Sequence, residues 1–305
     1  MPVIQLFTIF EGCKCSPFLL MLKPIKMSSK FRIVFSDVDG TLLNKNRELS
    51  SVTIFQIRKL TQHNIPFIMV SARMPAGMIH LYREVPMDNP AICYNGALIL
   101  KSIEKEIKRN NKLFSTTIGY SIAKSVFSIC HKFDLHFSLY SNNQWFASKN
   151  DEWRLREENN TKVKATIFSN MEYKISELEN EQQHIHKLMV MGESMLIDAL
   201  YNHLVSQFTG KINIYRSKDT YVEITPASIN KAAGCLILLN HLKLKPEQAI
   251  AFGDNFNDTE MLQTVNFSVA MGNAPFEVKE KAKMVAPANT DDGVAKTLET
   301  IFKFA

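Results

Sequence analysis

Two aspartates, Asp37 and Asp39, stand directly after the apolar run Ile33-Val34-Phe35, and Gly40 and Thr41 follow at once. Like charges placed beside a buried strand are unfavourable unless a cation lies between them. Three apolar runs end in side chains capable of chemistry: Asp37, then Ser71 after 67–70, then Asp254 after 249–253. The stretch GDNFND (253–258) adds Asn257 and Asp258. If the runs share one sheet, up to four carboxylates converge, and oxygen ligands without His or Cys favour Mg2+ over zinc. Taken singly, each residue has a plainer reading. Asp37 and Asp39 suit an exposed turn, Asp258 a cap for the helix holding Met261 and Leu262, and Lys231 in SINKAAG a solvated lysine. Ser71 alone says almost nothing. The force lies in their order, and in acids falling just after apolar strands.

The elements that must position them follow from periodicity. Residues 31–37, 67–71, 91–96 and 249–254 read as short buried strands, and 51–64 reads as a helix stopped near Asn64 and Pro66. Apolar strands alternating with helices imply a parallel α/β sheet, whose ligands bind beyond the carboxyl ends of the strands. The middle differs. Ile118, Ile122, Val126, Ile129 and Phe133 keep a helical period, and Leu196, Leu200 and Leu204 keep another. Segments 135–140 and 144–148, and then 211–217 and 220–225, read as hairpins, with a strand at 187–191 between them. The expected organisation is a Rossmann-like α/β core (31–97 and 226–305) with helices on both faces, interrupted by an α+β cap (98–225). Val294, Leu298, Ile301 and Phe302 mark a closing amphipathic helix.

With 305 residues and 46% hydrophobic content, the chain can bury a sizeable core. The net charge of +6 would suit an anionic partner, but the Lys and Arg residues are scattered, which argues against nucleic acid as the main ligand. No stretch approaches the ~20 apolar residues of a membrane span. Five cysteines without framework spacing point to a reducing, cytoplasmic setting. Cys13/Cys15 and His184/His186 lack partner ligands and read as incidental. Residues 1–30 read as a leader without a secretory pattern, with Met27 a tidy domain start.

DVDGTLL (37–43) resembles the first motif of the haloacid dehalogenase-like hydrolases. Ser71 is similar to the second motif, Lys231 to the third and GDNFND to the fourth. The Cof-type branch, with a cap between the second and third motifs, fits YNGA (94–97), EITPASINK (223–231), VAMGNA (269–274) and DDGVA (291–295). The resemblance implies Asp37 as a nucleophile forming an aspartyl-phosphate and Asp39 as general acid and then base. It implies Thr41, Ser71, Ala72, Lys231 and Asn257 as phosphate-binding residues. Mg2+ would be held by Asp37, the Asp39 carbonyl and Asp254, with Asp258 supporting. Phosphoryl transfer asks mainly for positioning and charge neutralisation, which these residues suit. The chain departs from the branch pattern at Ser71-Ala72-Arg73, where Thr-Gly-Arg is usual, and at Ser228, where Gly is usual. Ser71 keeps the hydroxyl, whereas Ala72 adds a methyl where backbone approach matters. The implied activity is a Mg2+-dependent phosphatase of a small phosphorylated metabolite such as a sugar phosphate. A phosphomutase, or a weakly catalytic binding protein on the same fold, is the alternative.

Overall fold

The computed structural model describes residues 30–85, 88–104 and 106–304. The expected leader, with Cys13 and Cys15, lies outside these residues apart from Lys30. The chain opens with β1 (Ile33–Asp37), α1 (Ser51–Gln62), β2 (Phe67–Val70), α2 (Ile79–Glu84), β3 (Ala91–Cys93), β4 (Leu98–Leu100) and β5 (Lys112–Ser115). There follow α3 (Tyr120–Lys132), β6 (His136–Ser141), β7 (Gln144–Ala147), α4 (Glu152–Thr161), β8 (Thr166–Ile167) and α5 (Met171–Asn180). Next come β9 (Lys187–Met191), α6 (Ser194–Phe208), β10 (Ile212–Lys218) and β11 (Tyr221–Pro226). The chain closes with α7 (Lys231–His241), β12 (Ala249–Gly253), α8 (Thr259–Thr264), β13 (Phe267–Ala270), α9 (Phe276–Lys279), β14 (Met284–Val285) and α10 (Gly293–Phe302).

Among the described residues, the larger sheet runs β14-β13-β12-β1-β2-β3-β4-β5, parallel from β14 to β3 and antiparallel beyond. Alternation along β1 splits its side chains between two layers. Val34 packs in the cluster that holds Ile57 and Leu60 of α1 and Leu298 and Ile301 of α10. Ile33 and Phe35 pack with Leu238 and Leu239 of α7 and Met261 of α8. Helices therefore cover both faces, and the strands are apolar throughout because neither face meets water. Ser50 starts α1 by accepting the Thr53 backbone N–H, and Asn64 ends the turn at φ +56°.

The expected cap boundary at 98 falls inside this sheet: β4 pairs onto β3 and β5 onto β4, which lengthens it. The reason is local, since the turn through Asn95 and Gly96 folds β4 back on the strand just completed. The smaller sheet runs β10-β11-β9-β6-β7-β8. One of its faces packs Leu139, Leu188, Val190, Val222 and Ile224 against α3, α5 and α6. The alternate residues Tyr140, Met189, Met191 and Tyr221 belong instead to the cluster of the larger sheet. Among the described residues, no helix is long and apolar enough to cross a membrane.

Candidate active site

Strand register decides what meets. Asp37 lies opposite Val70, the residue before Ser71, and Ser36 lies opposite Phe252, two residues before Asp254. Three strand ends therefore open into one crevice. Lys231 reaches it from the first residue of α7, whose N-cap Asn230 accepts the Ala233 N–H.

Lys231 is buried and its Nζ donates to Asp37 Oδ1 at 2.5 Å and to Asp258 Oδ1 at 2.6 Å. The other oxygen of Asp258 accepts the backbone N–H groups of Asp254 and Asn255, both at 3.0 Å. Asp258 thus caps its own turn and counters the lysine at the same time, so its plainer reading and its site reading both hold. Burial pushes the Asp37 carboxyl well above its usual range, helped by Asp258 and Asp254 and opposed by Lys231. Burial likewise pushes Asp254 up to about 6, against the hydrogen bond from Thr41. For Lys231, burial alone would lower the pKa, but Asp258 and Asp37 raise it and hold the ammonium charged.

Asp37, Asp254 and Asp258 bring carboxylate oxygens within 4.8 Å of one another, the only such grouping of potential ligands among the described residues. Three carboxylates with one ammonium leave negative charge uncompensated, and an all-oxygen donor set fits a hard divalent cation. His184 and His186, by contrast, both contact Ser115 Oγ.

Thr41, expected among the phosphate-binding residues, does not line the cavity described below: its hydroxyl donates to Asp254 Oδ1 at 2.6 Å. Between these acids Gly40 adopts φ +90°, where a Cβ would lie 2.4 Å from Asp254 Oδ2. Gly40→Ala is expected to destabilise the fold by about 1–3 kcal/mol, because it adds both backbone strain and a clash. Denaturant unfolding of the two proteins checks this.

Asp39 takes no part in that cluster. Arg73 holds both of its oxygens, Nε to Oδ2 and Nη2 to Oδ1, each at 2.7 Å. Burial alone would raise the Asp39 carboxyl, but the Arg73 guanidinium, aided by Arg47, holds it below its usual value. Ser71 is buried and its Oγ accepts the Arg73 N–H at 3.1 Å.

Asp37, Asp39, Ser71, Ala72, Lys231 and Asn257 line a cavity of about 190 Å3. Arg47, Arg73, Met74 and Asn255 line it as well, and a facing wall comes from the smaller sheet and α4, with Tyr140, Lys187, Met189, Tyr221, Glu223, Glu157 and Asn160. Lys187 is buried, donates to the Ala72 carbonyl at 3.1 Å and to Glu223 Oε2 at 3.3 Å, and sits over the Tyr140 ring. The buried Tyr221 hydroxyl has no hydrogen-bond partner. Sequence reasoning missed this wall and the Arg73 fork. The available signal was a charged residue at an alternate position of an otherwise apolar strand: Lys187 before Leu188, and Glu223 between Val222 and Ile224.

Comparison with known proteins agrees with this geometry. The family model described as haloacid dehalogenase-like hydrolase matches residues 34–298. A protein of Haemophilus influenzae that carries a phosphatase name is 31% identical over 274 residues, covering 89% of this chain and 98% of its own. The 5-amino-6-(5-phospho-D-ribitylamino)uracil phosphatase of Bacillus subtilis is 24% identical over 279 residues, covering 90% and 99%. A haloacid dehalogenase-like hydrolase structure from Bacteroides thetaiotaomicron superposes with a TM-score of 0.81 at 24% identity, covering 90% of this chain and all of that one. The chain therefore belongs to the haloacid dehalogenase-like hydrolases, of the Cof type, and is a phosphoric monoester hydrolase.

Proposed function

We propose that the chain is a Mg2+-dependent phosphatase that hydrolyses a small phosphorylated metabolite through an aspartyl-phosphate on Asp37. The observation carrying this reading is the setting of Asp37: a buried carboxylate at a strand end, facing a cavity, beside one ammonium and two more carboxylates. Such a carboxylate repels a phosphate dianion unless positive charge offsets it. When held by Asp37, Asp254 and the Asp39 carbonyl, with Asp258 supporting, the cation supplies that offset.

The remaining work falls to the chain's own residues. Lys231, Ser71 and Asn257 hold the phosphoryl oxygens. An Asp37 oxygen bonds to phosphorus as the bond to the leaving oxygen breaks, and Asp39, in the protonated form that it takes up against the pull of Arg73, gives that oxygen its proton. Water then attacks the phosphorus, Asp39 takes a water proton, and the Asp37–phosphorus bond breaks to release inorganic phosphate. The cap wall excludes bulk water and meets the leaving group. Glu223 and Glu157 accept hydrogen bonds and the Tyr221 hydroxyl lacks a partner, which suits a leaving group rich in hydroxyl or amino donors. The relative from Bacillus subtilis is named for a ribityl phosphate, which is of this kind.

Phosphate release from a panel of phosphorylated metabolites tests the reading. With Mg2+ present, turnover is expected on hydroxyl-rich phosphomonoesters. EDTA should reduce it to background and added Mg2+ should restore it. Full activity in EDTA would remove the metal from the mechanism. Transfer of the phosphoryl group to a second hydroxyl, without free phosphate, would make the protein a phosphomutase.

A further inference from the structure

We propose that Arg73 is a positioning residue that holds Asp39 in the orientation needed for proton transfer, an inference that rests on the phosphatase reading above. The two residues lie on different strands' loops, 34 positions apart, yet the guanidinium engages both carboxylate oxygens at 2.7 Å. A fork of this kind fixes the plane of the carboxylate as well as its position. The guanidinium cannot itself donate a catalytic proton, because it stays protonated in proteins.

The fork is rigidly mounted. Arg73 is 7% exposed, its Nη1 donates to the Gly77 carbonyl at 3.0 Å, and its carbonyl accepts the Tyr94 N–H. Asp39, by contrast, has a side chain 41% exposed, and its other cationic neighbour, Arg47, lies 3.9 Å away with 43% exposure. Without the fork, an exposed carboxylate in a loop would sample several rotamers. The mounting matters for a second reason: the Arg73 N–H is bound to Ser71 Oγ. Asp39 is therefore oriented from the loop that carries a phosphate-binding hydroxyl, so the proton donor and the phosphoryl group share one frame. Displacement of a catalytic group by about 1 Å can reduce a rate roughly a hundredfold.

Two aryl phosphates that differ by a nitro group separate positioning from a structural role. The phenolate leaving from p-nitrophenyl phosphate needs no proton, whereas that from phenyl phosphate, with a pKa of about 10, does. Steady-state kinetics would be measured for the full chain with Mg2+ in the wild type, Arg73→Met and Arg73→Lys, the last keeping the charge without the fork. In both variants kcat/KM for phenyl phosphate is expected to fall about a hundredfold relative to that for p-nitrophenyl phosphate. With p-nitrophenyl phosphate, kcat and KM should fall together, since formation of the aspartyl-phosphate survives and its hydrolysis, which needs Asp39 as base, slows. The ratio between substrates does not depend on how much protein is folded, so misfolding cannot imitate it. A common loss on both substrates overturns the proposal in favour of a role in binding or folding. A gain on phenyl phosphate overturns it too, because the fork would then be holding Asp39 away or keeping it ionised. If the wild type lacks turnover that depends on Asp37, the phosphatase reading fails and takes this one with it; an unchanged ratio in an active enzyme sinks only the role of Arg73.

Discussion

Asp37→Asn should abolish turnover while leaving the metal-free protein at least as stable as the wild type. Loss of a nucleophile typically removes about 10⁴-fold or more of kcat, because the amide cannot form the covalent intermediate. The stability half follows from the surroundings. Asp37 is buried among Asp254 and Asp258, with Lys231 already bound to Asp258, and burial disfavours its charged form. Replacing it by a neutral group of the same shape relieves that crowding and keeps an acceptor for the ammonium. Phosphate release and thermal unfolding in EDTA measure the two halves. A lowered Tm would mean that Lys231 depends on Asp37 for its charge, and the account of the cluster would need revision. Stability gained where activity is lost is the usual mark of a site strained for function.

Lys231→Met should do the opposite and harm both. It leaves Asp37 and Asp258 buried and facing each other with no cation between them. Removing one partner of a buried ion pair costs about 3–5 kcal/mol, a large share of a domain's total stability. Denaturant unfolding in EDTA should show that loss. Adding Asp37→Asn to Lys231→Met should then recover part of it, since one of the stranded charges is gone. A double variant less stable than Lys231→Met alone would contradict the charge argument. Activity should be lost in both.

The parts of this molecule legible in the sequence are those where local pattern and long-range order coincide. β1, β2 and β12 are short apolar runs because both faces of the sheet are covered, and each run ends next to a side chain that lines or supports the crevice. α10 is equally readable, with Val294, Leu298, Ile301 and Phe302 all buried. Elsewhere, apolar character alone misleads. Phe133 continues the apolar period of α3 but is 55% exposed, while the small residues Ala123 and Cys130 share the buried face with Val126. On α6, Leu196 is 41% exposed, and Ile197 takes its place in the core. Thr41 illustrates a further limit: its type was readable, but whether its hydroxyl turned to the substrate or to Asp254 depends on a contact 213 residues away.

The alternation in the cap strands separates two physical tasks. Leu188, Val190, Val222 and Ile224 answer to the helices behind the sheet, while Lys187, Met189, Tyr221 and Glu223 answer to whatever enters the cavity. Adjacent residues on one strand thus meet different partners. Substitutions on the cavity side can retarget the enzyme without repacking the cap, and the catalytic loops on the opposite sheet need not change at all.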